Sequence, residues 1–199
     1  MTAFLLGCGV VGAVLFVVIF TIDGATREGY RASYYPISAL ALGPRGWVQT
    51  SNFVLTGLLM IAAAVGTGLA LQVIAGPLLL GLFGLSLVAS GVFPMDPMRG
   101  YPPETPPGRP AVVSRRHQIH DVFGLLVFSS LAAAGIAFAL ALPFGGWALY
   151  SLVTSAAVVI LFISFGLAWE NDSLSAGTLQ RLSIVTGWTW VALICLSLI

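Results

Sequence analysis

Residues 48–93 read VQTSNFVLTGLLMIAAAVGTGLALQVIAGPLLLGLFGLSLVASGVF, without one charged side chain. A helix that crosses the hydrocarbon core of a bilayer needs about 20 apolar residues. The run therefore holds two crossings, at about 48–71 and 74–93, joined by a short uncharged turn around Gln72 to Gly76. Working outward, four more stretches qualify, at about 3–22, 119–142, 147–169 and 179–198. The expected fold is all-α, a polytopic membrane helical bundle with six transmembrane helices and a single domain over residues 1–199. Composition agrees: 58% of residues are hydrophobic and 8% charged, with a mean hydropathy of +1.01. A soluble domain carries roughly a quarter charged residues to solvate its surface. The first apolar run has no basic segment before it and no small-residue cleavage site after it. Asp23 and Arg27 follow instead, so it reads as a retained helix.

The connections alternate. The 4–5 turn, Pro143-Phe144-Gly145-Gly146, is as short and uncharged as the 2–3 turn. The other three, over residues 23–47, 94–118 and 170–180, are polar, and an even number of crossings returns them to one face. That face gathers all eight basic residues, every one an arginine, and all seven acids. By the excess of arginine in short loops it is expected to be cytoplasmic, with both termini outside a bacterial inner membrane. The net charge of +1 points to no nucleic-acid partner. Trp47, Trp147, Trp169, Trp188 and Trp190 fall near expected helix ends, where amphipathic rings favour the headgroup level. Gly9 with Gly12, Ser86 with Ser90, and the run Ala132 to Gly135 read as close-packing seams, or as the face of a homodimer. Cys8 and Cys195, in apolar runs without a C-x-x-C pattern, read as small buried hydrophobes.

The polar face is where chemistry is expected. No H-E-x-x-H, P-loop, G-x-S-x-G or G-x-G-x-x-G signature occurs. The sequence Arg115-Arg116-His117-Gln118-Ile119-His120-Asp121 holds both histidines of the chain. In a helix, His117, His120 and Asp121 share one face. They are candidate ligands for a divalent metal such as zinc, or an acid–base group; the alternative is hydrogen bonding at headgroup level. Asp96, held between Pro94 and Pro97, is a fourth candidate catalytic group, with an arginine pair as its alternative. Arg45, Arg115 and Arg116 are candidate phosphate-binding groups for a lipid headgroup. Ser38 lies in a first loop where Pro36 opens and Gly43-Pro44 closes a short helix over the bundle. It joins them as a candidate binding residue, with capping as its simpler role. Haem ligation is excluded, because two histidines three apart on one helix cannot take both axial positions. Ion carriage through the spans is disfavoured, because they lack midplane charges.

The runs Pro36-Ile-Ser-Ala-Leu-Ala-Leu-Gly-Pro-Arg-Gly-Trp-Val-Gln-Thr, Gly91-Val-Phe-Pro-Met-Asp-Pro and His117-Gln-Ile-His-Asp resemble the bacterial membrane family catalogued as domain of unknown function 998. The resemblance implies six helices and, among the recurrent motif residues, Ser38, Arg45, Asp96, His117, His120 and Asp121. It implies no reaction. A looser likeness, to intramembrane metal-dependent lipid hydrolases of the alkaline ceramidase type, is an analogy only, since those have seven helices and three histidines. The functions left open are an enzyme acting on lipid headgroups, a non-catalytic lipid or amphiphile binder or transporter, and a membrane scaffold.

Overall fold

A computed structural model of the chain describes residues 1–143 and 145–199. Phe144, in the expected 4–5 turn, lies outside the described residues. Among the described residues the regular structure is six α-helices and one short 3-10 helix: α1 Thr2–Ala25, α2 Gly46–Leu71, α3 Ala75–Val92, α4 Arg115–Ala141, α5 Gly146–Glu170 and α6 Ala176–Ser197, with the 3-10 turn at Ile37–Ala41. All six α-helices are long and apolar enough to cross a membrane. Large side chains such as Val11, Val14, Leu55, Leu58, Leu149 and Ile160 point outward. In water such a surface would aggregate; in hydrocarbon it costs nothing.

The helices reach further into the polar face than hydropathy alone indicates. α1 runs on through Asp23 to Ala25, and α4 begins at Arg115, four residues before the apolar run. Ser114 is the reason for the latter. Its hydroxyl accepts the His117 N–H at 3.2 Å, satisfying one of the donors that the first turn leaves free. Pro77 sits in the first turn of α3, where a missing N–H is harmless.

Each helix packs on its neighbours in the chain, and α6 closes the ring against α1. Glycines set the closest approaches. A Cβ at Gly57 would stand 2.6 Å from the Gly84 carbonyl oxygen, and one at Gly84 the same distance from that of Gly57, so α2 and α3 touch backbone to backbone. Gly9 packs on Cys195 and Ala63, and Gly12 on Met60 and Leu59. These two glycines are thus spent inside the bundle, and so is Gly135, against Ser151 and Ser155.

Two tryptophans differ from expectation. Trp188 and Trp190 are each 2% exposed, in the middle of the bundle rather than in an interfacial belt. Trp188 stacks on Phe16 with centroids 4.3 Å apart and meets Phe83 edge-on. Trp190 donates its indole N–H to Ser151 Oγ at 2.9 Å, which satisfies in the interior the donor that a belt position would give to water.

The three polar connections form one cap. Asp23 accepts from Arg27 at 2.6 Å and Arg45 at 2.7 Å, tying the end of α1 to the start of α2. Arg27 also donates to the carbonyls of Leu40, Leu42 and Arg45, which fixes the first loop. Arg181 of α6 holds the same loop through Tyr35 O and the Tyr30 hydroxyl. Arg99 pairs with Asp172 at 2.8 Å and lies 3.9 Å from the centroid of the Trp169 ring, joining the second and third connections.

Candidate functional site

The sequence around the end of α3 explains most of the histidine geometry. To continue past Val92, the helix would need the N–H groups of residues 94 and 97 for the carbonyls of Ser90 and Phe93. Both positions are proline. Orphaned carbonyls at a buried helix end need another donor. His120 supplies it for Phe93: Nδ1 lies 2.8 Å from Phe93 O. A carbonyl only accepts, so Nδ1 carries the hydrogen, and in the neutral ring Nε2 is a bare acceptor. Among the described residues Nε2 has no hydrogen-bond partner.

His117 is fixed in the opposite sense. Its Nδ1 accepts the Asp96 N–H at 2.8 Å, which places the proton of the neutral ring on Nε2, 3.3 Å from Asp121 Oδ2. Asp96 turns its carboxylate away. Its two oxygens accept from the Ser114 N–H at 2.6 Å and the Ser114 hydroxyl at 2.7 Å. Partial burial alone would raise the Asp96 pKa. The Ser114 hydroxyl and amide, with His117 nearby, outweigh it and hold the carboxyl below the usual carboxylate range. Asp96 and His117 thus meet, but through the backbone amide of Asp96, in a clamp between the exit of α3 and the start of α4.

The expected three-ligand set does not assemble. Each histidine spends one nitrogen on the backbone, and His117 turns its other nitrogen to Asp121 while His120 does not. Among the described residues no three His, Cys, Asp or Glu side chains are grouped to hold a metal ion. The candidate phosphate groups also separate. Arg45 is occupied by Asp23, and Arg115 and Arg116 are exposed at the first turn of α4. Ser38 is partly buried and does face a shared space.

That space is a cavity of about 520 Å³, within the range of about 300–1,000 Å³ typical of small-molecule sites. It begins among Arg109, His117, Asp121 and Glu170 at the polar face and passes Ser38, Ser90 and His120. It continues to Phe16, Phe53, Phe83, Leu131 and Trp188. One wall is the cleft between α4 and α5. The two helices meet where Gly135 faces Ser151 and Ser155, and again where Phe128 stacks on Phe162 with centroids 4.2 Å apart. Toward the polar face both line the cavity, α4 through Asp121, Gly124 and Leu125 and α5 through Phe165, Trp169 and Glu170. A Cβ at Gly124, which lines the cavity, would meet nothing within 4 Å.

The aromatic floor was not legible as a site, since Phe16, Phe53, Phe83 and Trp188 sit at positions that read as ordinary core. The pairing of Arg109 with Glu170 at the mouth, 2.7 Å, was equally hidden, because it joins separate connections.

Six spanning helices around a polar-mouthed, aromatic-floored cavity define a polytopic integral membrane protein. Within that class the chain belongs to the family whose model is described as Protein of unknown function (DUF998), which matches residues 10–197. No curated protein and no solved structure matches it.

Proposed function

We propose that this protein binds a single membrane amphiphile, its headgroup at the charged mouth and its chain on the aromatic floor. The observation that carries the reading is the continuity of one cavity from Asp121 and Glu170 down to Phe83 and Trp188. A soluble metabolite would waste the apolar depth, and a purely apolar guest would leave the mouth unused. Such a ligand reaches the site from the bilayer through the α4–α5 cleft. The arginine-rich cap faces the cytoplasm, by the bias of short basic loops, in a bacterial inner membrane.

A second reading is acid–base chemistry on the bound headgroup. It is favoured by the bare Nε2 of His120, a 7% exposed imidazole in the cavity wall. Substitution separates the two. In His120→Gln the side-chain amide can still donate to Phe93 O through its nitrogen and accept from a ligand through its oxygen, so binding is retained within a few-fold while any turnover is abolished.

The direct test is quenching of tryptophan fluorescence by an amphiphile brominated near its chain terminus. Trp188 lies at the floor, so quenching should saturate at one ligand per chain and be lost when Trp188 is replaced by Phe. Unsaturable quenching that persists in Trp188→Phe would mean the amphiphile merely coats the outer surface.

A further inference from the structure

Among the described residues, the formally charged side chains that line the cavity are Arg109, Asp121 and Glu170. Arg109 gives Nη1 to Glu170 Oε2 at 2.7 Å, so its charge at the mouth is already paired. Asp121 is left as the surplus charge. Its neighbour His117 accepts the Asp96 N–H at Nδ1, which a doubly protonated ring cannot do, so His117 does not balance it. Deeper in the wall stands the bare Nε2 lone pair of His120. The same cavity is lined by Ser90, 3% exposed, whose hydroxyl has no hydrogen-bond partner among the described residues. A buried hydroxyl left unmatched is costly unless something else enters to meet it. The arginines that could hold a phosphate, Arg45, Arg115 and Arg116, do not line the cavity. The chemistry presented to a headgroup is therefore acceptor-rich and net acidic.

Resting on the amphiphile reading above, we propose that the bound amphiphile carries a protonated amine. The ammonium sits at the Asp121 and Glu170 carboxylates, with the ring of Phe165 adding cation–π attraction. His120 Nε2 and Ser90 Oγ accept from its N–H donors or from a neighbouring hydroxyl. Two sources share this chemistry, a single-chain amine and the ammonium end of a zwitterionic phospholipid.

The test is competition in detergent against a brominated long-chain alcohol, a neutral probe read by tryptophan quenching. Competitors of equal chain length are an alkylamine, an alkyl phosphate and a lysophosphatidylethanolamine. The wild type should release the probe to an ammonium-bearing competitor at about one-tenth the concentration needed for the phosphate, the effect of one charge-assisted bond. The better of the two ammonium competitors identifies the source. Asp121→Asn keeps its shape at a 65% exposed position, so its thermal midpoint should match the wild type. Its amine-over-alcohol preference should fall about tenfold. Glu170→Gln releases Arg109 and should shift preference toward the phosphate. The proposal is overturned if the phosphate competes as well as the amine in the wild type, or if Asp121→Asn leaves the amine preference intact. In either case the probe still binds and the amphiphile reading stands. Failure of the alcohol itself to bind overturns both.

Discussion

Replacing Asp23 with Asn should cost far more stability than an interfacial ion pair normally supplies. Asp23 is 2% exposed and ends a helix whose C-terminal dipole repels negative charge. It is tolerated because Arg27 and Arg45 approach its two oxygens at 2.6 and 2.7 Å. The Arg27 side chain is only 7% exposed, so removing the carboxylate charge strands a buried guanidinium among carbonyl oxygens. Breaking a buried pair from one side costs about 3–5 kcal/mol. The Arg45 side chain is 47% exposed, and its share is about 1 kcal/mol or less. Asn can still accept from Arg27, which favours the lower end, about 3 kcal/mol. The assay is reversible unfolding of the detergent-purified protein with increasing denaturing detergent, comparing Asp23→Asn with Arg45→Met. The reasoning is refuted if Asp23→Asn costs under about 1 kcal/mol, or if the two variants are equally destabilised.

Gly57→Leu drives a side chain into the α3 backbone and should leave little monodisperse protein on size exclusion. Gly7→Leu, where a Cβ meets nothing within 4 Å, should behave as wild type, and equal behaviour of the two would disprove the backbone contact. The α3–α4 clamp predicts a pH dependence. Because Asp96 titrates below its ordinary value of 3.8, its contribution is fully present above that pH and is lost as pH falls through the lower folded value. Asp96→Asn should make the acid limb of thermal stability shallower, and an unchanged limb would show that the carboxylate is not a clamp.

Fold and site differed in how far the sequence revealed them. Crossing helices declare themselves because lipid demands unbroken apolar length, and every run longer than the hydrocarbon thickness became a helix. The short helix between Pro36 and Gly43 was equally visible, because proline and glycine act locally. Trp188 and Trp190 were misplaced because an indole is content either in an interfacial belt or in a core that offers a partner, and the partner Ser151 lies 39 residues away. Arg45 looked like a ligand group for the same reason: nothing local reveals that Asp23 occupies it. His120 could have been read differently. Pro94 and Pro97 each sit four residues beyond a carbonyl that they leave without a donor, and a nearby histidine is a natural replacement. The cavity had no signature, since its aromatic floor uses the residue types of packed interior.

Whether the cavity holds one amphiphile can be read from native mass spectrometry of the protein released straight from membranes. Wild type should carry one lipid-sized adduct per chain. Gly124→Phe, which fills the open space between α4 and α5 without meeting another atom at its Cβ, should fold and carry none. Wild type without an adduct, or an adduct equally abundant in Gly124→Phe, would contradict the account.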